Sequence, residues 1–269
     1  MEEFAATCPF PVVYVHEPER GISRARNAVL DACEDRFDWI AFTDDDCQPE
    51  PNWIASLLAA AERHDADVVY GRREWVPPDP VPFWYEPPEI NRRTEGQALD
   101  YAATHNVLMA GELAGLRFDE GRRPGLKLLR VRGGLRFDVD LAHGEDTDFF
   151  HRATIYGVRI VYSAELVVHE TIPPHRATLR YQTLRAFYYA ASRSDFHRRY
   201  KGVEGAALKV LVRLVLQVPV AIVRLATAPL VWPFSERRFK RHVLKGLARL
   251  MGAAGALVGF AGWSGNPYG

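Results

Sequence analysis

Trp39-Ile40-Ala41-Phe42-Thr43-Asp44-Asp45-Asp46 is the stretch on which the fold turns. Its first part is apolar without alternation, the pattern of a strand covered on both faces. Three aspartates follow at once. In α/β folds ligands gather at the ends of strands, and a hard divalent ion takes carboxylate oxygens while leaving positions open for phosphates. An acidic turn facing solvent is written with the same letters, so the triplet alone decides nothing.

Working outward, Val12-Val13-Tyr14-Val15 reads as a short strand. A helix opens near Gly21-Ile22-Ser23, with Ser23 as its N-cap. Ala25, Ala28, Val29 and Ala32 recur at helical spacing and form an apolar face. Beyond Pro49 and Pro51 a second helix runs through Trp53, Ile54, Leu57, Leu58 and Ala61, and Val68-Val69-Tyr70 is a strand. Asp146 to Tyr156 reads as a helix stopped by Gly157. Val158 to Tyr162 and Leu166 to Val168 read as strands, and a long helix covers Thr178 to Tyr200. Strands alternating with helices predict an α/β fold with a mixed, mostly parallel sheet.

Two regions depart from that rhythm. Residues 75–90 hold Pro77, Pro78, Pro80, Pro82, Pro87 and Pro88 among Trp75, Phe83, Trp84 and Tyr85. The segment is either a loop pinned to the core by its aromatics or a wall that stacks on a ligand. Gly115-Leu116-Arg117-Phe118-Asp119 recurs as Gly134-Leu135-Arg136-Phe137-Asp138, and this single duplication is no solenoid. After Gly205 the chain turns aliphatic, and Lys209, Arg213, Gln217 and Arg224 fall on one helical stripe. A spanning helix needs about 20 apolar residues with few central charges, so the stripe favours a helix lying in a membrane interface. Arg237, Arg238, Lys240 and Arg241 suit anionic headgroups. Leu250 to Trp263 is apolar but short for a span. A hairpin packed on the catalytic domain or on a partner chain is the alternative. The expected division is 1–204 for the α/β domain and 205–269 for the helical region.

Composition narrows the function. Of 269 residues 48% are hydrophobic, enough for a full core. Lys plus Arg is 34 and Asp plus Glu is 34, so no basic excess points to nucleic acid. Cys8, Cys33 and Cys47 lack a ligand spacing and read as free thiols in a reducing compartment. Met1-Glu2-Glu3-Phe4 shows no secretory pattern.

A second set of candidate residues lies far down the chain. Glu145-Asp146 sits at a helix start, where the dipole favours acids anyway, but a carboxylate there is also placed to take a proton from a hydroxyl. Neighbours on a helix point apart, so the base is assigned to Asp146, with Glu145 orienting the acceptor or a neighbouring side chain. His169 ends an apolar run and is a candidate metal ligand with Asp46, in a set that manganese accepts. Arg24 and Arg26 stand at a helix opening that disfavours cations, a hint that they meet an anion.

Taken in order, Arg-Gly-x-x-x-Ala-Arg-Asn, the strand into Asp-Asp-Asp, Thr104-His105-Asn106-Val107-Leu108, Phe137-Asp138 leading to Gly-Glu-Asp-Thr-Asp-Phe-Phe, and Val-Val-His resemble the family 2 glycosyltransferases of GT-A fold. The likeness is strongest to members that build bacterial exopolysaccharides of the succinoglycan type, and it runs from Arg20 to His169. It implies an inverting transfer from a nucleotide-sugar donor to a saccharide or lipid-linked acceptor. In that scheme Arg24, Arg26, Asn27, Asp44 and Asp45 lie on the nucleotide-sugar side, Asp46 and His169 hold a divalent Mn2+ or Mg2+, and Asp146 is the base. The location implied is cytoplasmic, peripheral on the inner face of the membrane.

The same resemblance implies two further strands ahead of this sequence, one ending in Pro-x-Tyr-Asn-Arg and one carrying an acidic residue that holds the base. The chain enters where a third strand would lie. The alternative reading is therefore a truncated, non-catalytic remnant that binds membrane or a partner glycosyltransferase. A metal-dependent hydrolase using the same carboxylates is a third.

Overall fold

The structure is a computed structural model, and it describes residues 2–33, 36–87, 93–115, 134–141 and 143–263. Its centre is a sheet whose middle strands are β3 (Val68–Val76), β5 (Asn106–Ala110) and β6 (Ile160–Thr171). Strand β1 (Trp39–Thr43) pairs with β5 at one edge, and β2 (Cys47–Pro49) pairs with the end of β6. A short β4 (Gln97–Leu99) pairs with the start of β6. Side chains alternate across the sheet as a period of two requires. Val68, Tyr70, Val107, Met109, Ile160 and Tyr162 join one core cluster, while Val69, Leu108 and Val161 join the other.

Helix α2 (Ile22–Cys33) and α4 (Glu145–Ile155) cover the first face, where Leu30, Phe137, Phe149 and Phe150 are buried. Helix α3 (Trp53–His64) covers the second through Leu57, Ala60 and Ala61. A short α1 (Glu2–Thr7) precedes them. The long α5 (Leu179–Val212) passes through one π-helical turn (Arg213–Gln217) into α6 (Val218–Val231), and α7 (Glu236–Phe260) runs back beside both.

Several expectations need correction. The α/β class holds, but among the described residues only β3 and β6 pair in parallel. The antiparallel β5 lies between β1 and β3, so the sheet is mixed and mostly antiparallel. Val12–Val15 forms no strand. Prolines flank it, and Val13 and Tyr14 are 73% and 68% exposed. Strand β1 is an edge strand and is only partly buried. Ser23 lies inside α2, and Val29, meant for its apolar face, is exposed. The face that packs inward instead carries Ser23, Arg26, Asn27 and Leu30, because polar partners await it.

The two strands read after Val158 are one strand with a bulge. Its pairing jumps from Gly71 with Ser163 to Arg72 with Val167. The fully buried Asn106 fills the break. Its amide donates to the carbonyls of Arg72 (2.9 Å) and Leu166 (3.0 Å), and its oxygen accepts from the Trp53 indole (2.8 Å). The helix expected to stop at Tyr200 continues, kinked at Gly202 (φ 81°). Residues 116–119 of the duplicated sequence, and Pro88 of the proline-rich segment, lie outside the described residues.

Candidate active site

The aspartate triplet forms a tight turn. The Cys47 amide donates to the Asp44 carbonyl (3.1 Å), and the Thr171 amide donates to the Asp46 carbonyl (3.0 Å), which ties the turn to the end of β6. Ligand atoms of Asp44, Asp46 and Cys47 lie within 4.8 Å of one another. Asp45 is exposed. The Cys47 thiol is pushed up to about 12, first by burial and then by Glu170 and the two aspartates, so it stays protonated. Burial also raises Asp44. Arg26 pulls it back down, and the negative charge of Asp46 adds to the rise.

The second acidic group arrives on α4. Gly144 precedes that helix with φ 82°, and a Cβ there would strike the Ser192 hydroxyl, so the Gly-Glu-Asp sequence needs its glycine. Glu145 turns toward α2 and pairs with Arg26 at 2.5 Å. Arg26 also reaches Asp44 at 3.5 Å, and its guanidinium lies over the Phe137 ring. One arginine thus joins the two acidic segments. Asp146 accepts from the Thr147 amide at 2.6 Å. Its carboxyl is pushed up to about 6, mainly by loss of water and next by Glu145, against the pull of Arg26. The charge of Asp46 thus raises Asp44, and that of Asp44 raises Asp146. The far-separated aspartates therefore share one electrostatic neighbourhood.

Other expected residues have partners of their own. Arg24 pairs with the exposed Glu19 at 2.9 Å. Asn27 brackets Phe137, donating to its carbonyl (2.9 Å) and accepting from its amide (2.7 Å). His169 is not gathered at the aspartates. Its ring nitrogens face Glu50 (3.2 Å) and Glu74 (3.8 Å), because alternate residues of a strand point to opposite faces. Its neighbour Glu170 takes the inward place.

Glu170 was missed in the sequence, as were its partners. It pairs with Arg73 at 2.7 Å and with Arg176 at 3.5 Å, and Arg176 in turn holds Asp46 at 2.8 Å. Tyr70 and His105 lie 3.3 Å apart, and the charge of Asp146 reaches Tyr70. Burial and three nearby arginines hold His105 well below the usual imidazole range, so its ring is neutral. The proline-rich loop is pinned rather than free. Trp84 lies against Phe239, Lys240 donates to the Tyr85 carbonyl (2.9 Å), and Arg241 pairs with Glu86 (2.7 Å).

A strand-end carboxylate pair linked through Arg26 to Glu145, with the raised carboxyl of Asp146 next to it in the chain, is a site equipped for an ion and for proton transfer. Residues 1–119 match the family model described as glycosyl transferase family 2. A curated relative is the succinoglycan biosynthesis protein ExoM of Rhizobium meliloti (strain 1021). It is 36% identical over 183 residues, which are 66% of this chain and 54% of that protein, so the chain spans about half of its relative's length. Among solved structures, S. aureus TarS 1-349 in complex with UDP-GlcNAc is similar with TM-score 0.46 and 13% identity, over 94% of this chain and 76% of that one. A second S. aureus TarS structure gives TM-score 0.44 and 15% identity, over 88% and 41%.

Proposed function

We propose that the protein is an inverting glycosyltransferase that moves a sugar from a nucleotide-sugar donor to a saccharide or lipid-linked acceptor in exopolysaccharide assembly. One observation carries the reading. Arg26 reaches both Asp44 (3.5 Å) and Glu145 (2.5 Å), which brings together the two acidic segments that lie about a hundred residues apart in the chain. The family 2 match and the succinoglycan role in the relative's name support the reaction class and the pathway type.

The family implies a divalent ion, and the residues fit one. Asp44 and Asp46 offer hard oxygen donors, and Asp46 already holds a cation, the guanidinium of Arg176. Such an ion, when bound, neutralises charge building on the departing diphosphate. The protein's own groups do the rest. Asp146 takes the proton of the attacking acceptor hydroxyl. Arg26 positions Glu145 and Asp44 on either side of it. Positive charge at the sugar carbon develops as in glycoside hydrolysis. In this reading Asp45, with Arg24 and Asn27, lies toward the nucleotide, residues 1–204 form the catalytic domain, and residues 205–269 form the membrane-associated part. The helices Leu179–Val231 and Glu236–Phe260 are long and apolar enough to cross a membrane by length and composition, which supports membrane association; the place assigned to it is the inner face of the cytoplasmic membrane.

Calorimetry with nucleoside diphosphates and Mn2+ tests the donor side. Binding should require the metal and vanish in Asp46→Asn. Asp146→Asn should bind as the parent does and lose transfer by roughly a hundredfold or more. Metal-independent binding, or transfer retained by Asp146→Asn, would refute the assignment.

A further inference from the structure

The arm that leaves the α5 kink and continues through α6 is inside out. A surface helix of a water-soluble protein turns its charges outward. Here Arg213 donates to the Gly252 carbonyl of α7 (3.1 Å), and the Thr227 hydroxyl lies 3.3 Å from His242, also on α7. Arg224 is half-buried, with its Nε out of solvent. Arg213 and Arg224 of the polar stripe visible in the sequence therefore turn inward, whereas Lys209, near the start of the arm, is exposed. The outward stripe is Leu208, Leu211, Val215, Ile222, Val223 and Leu230, each 56–70% exposed. Leu208, Leu211, Val215 and Ile222 are spaced by three, four and seven, which puts them along one side of the helix, and the adjacent Val223 with Leu230 seven residues on widens that side.

The end of the arm fits a lipid–water boundary. Trp232 and Phe234 are 61% and 86% exposed, and the exposed Arg237 and Arg238 follow at the start of α7. Aromatic rings settle at headgroup depth, and clustered arginines pair with anionic lipid.

The same contacts exclude a crossing. A spanning helix carries its two ends to opposite sides of a hydrocarbon layer about 30 Å thick. The start of α7 is held to the proline-rich loop through Arg241 and Glu86. Its far end lies on α5, where a Cβ added to Gly255 or Gly259 would overlap the carbonyls of Phe187 and Ala191. That part of α5 is itself fastened to the catalytic domain, by Ser192 to the His143 carbonyl (2.8 Å) and by Arg199 to Asp138 (3.2 Å). Both ends of α7 thus belong to one globular body. The arm returns to it as well, since Trp232 stacks on Phe239.

We propose that the outward stripe of the α5–α6 arm is a lipid-docking face, on which the protein lies in a single leaflet of an anionic bilayer without traversing it. This rests on the membrane reading given above and goes further by naming the face and the topology.

The test uses the full chain and sealed vesicles of phosphatidylcholine and phosphatidylglycerol. The parent should float with them, and Leu211→Asp/Val215→Asp should bind at least tenfold more weakly. Both positions already face water, so the variant keeps its fold, as its unfolding temperature will show. Ile54→Asp, at an exposed apolar position on α3, should bind like the parent. For topology, Glu204→Cys and Glu236→Cys, at the two ends of the arm, carry a nitrobenzoxadiazole label. Dithionite added outside should quench both, after correction for label on the native cysteines. If one label is protected, the arm spans and the single-leaflet inference fails while membrane binding stands. Undiminished binding by the double aspartate variant would overturn the choice of face. A parent chain that stays off vesicles and sediments as a dimer would overturn the membrane reading itself, with a second copy covering the stripe.

Discussion

Replacing Asp146 by asparagine should make the protein more stable at neutral pH while removing its activity. The carboxyl is moved from 3.8 to about 6, first by burial and then by Glu145. Each unit corresponds to about 1.4 kcal/mol, so the ionised side chain costs the fold about 3 kcal/mol. The sign follows from proton linkage. Between pH 4 and 6 the unfolded chain has released this proton and the folded chain still holds it, so stability falls as pH rises through that window. Below pH 4 the group carries no charge in either state, and above 6 the loss is complete. Asparagine keeps an oxygen for the Thr147 amide and never ionises. Thermal unfolding of parent and variant across pH 4–8 should therefore show curves that nearly meet at pH 4 and lie about 5–10 °C apart at pH 8, with the variant higher. Equal melting temperatures at both ends of the range, or a less stable variant at pH 8, would show that Asp146 is not held in a site hostile to its charge. The case for it as a base would weaken with that.

Two further perturbations probe the scaffold. Arg26→Ala removes the partner of Glu145 and Asp44 and also the cation that lowers Asp146. It should cost about 2–3 kcal/mol in urea unfolding and move the acid limb of the transfer rate above pH 6; a limb that stays put would clear Arg26 of any electrostatic role. Gly259→Leu would drive a side chain into the Ala191 carbonyl and push α7 off α5. It should lower stability by about 1–3 kcal/mol, whereas Gly205→Ala, which meets only the Lys201 Cβ at 3.9 Å, should not; equal effects would mean that α7 is not packed through its glycines.

What the sequence disclosed depended on whether a residue's role is local. Of the middle strands, β3 and β6 announced themselves by apolar runs while β5 was not read as a strand, and Gly157 (φ 88°) stopped its helix as expected. Strand neighbours are non-local, so nothing in Leu108 or Val69 told that an antiparallel strand separates β1 from β3. The helix α2 was misread for a related reason. Its alanines have helical spacing, but its inner face is chosen by Asp138, Phe137 and Glu145, all more than a hundred residues away. At the site, the aspartates and Asp146 stood out as acids at element ends. Glu170 and Arg176 did not, because their meaning comes from each other and from Asp46. His169 drew attention by its chemistry, yet strand alternation hands the inward position to the next residue.

The charges at the site do not balance among the described residues, and that imbalance links its parts. Asp44, Asp46, Glu145, Asp146 and Glu170 face Arg26, Arg73 and Arg176. Five acids share three directly paired guanidiniums, with Arg93 and Arg185 farther off, so direct pairing leaves acids in excess once all are ionised. The groups that register the excess are those with the weakest pairing. Asp46 and Glu170 hold arginines within 2.8 Å, and Glu145 holds one at 2.5 Å. Asp44 has only a 3.5 Å contact, and Asp146 has no ion pair of its own, and these two are the carboxyls raised above their usual range. A divalent cation carries the missing charge. On the proposed reading, an ion held at the Asp44–Asp46 turn would also release Asp146 toward the ionised form in which it can act as a base, so that a loaded donor site and a competent acceptor site would become one electrostatic condition.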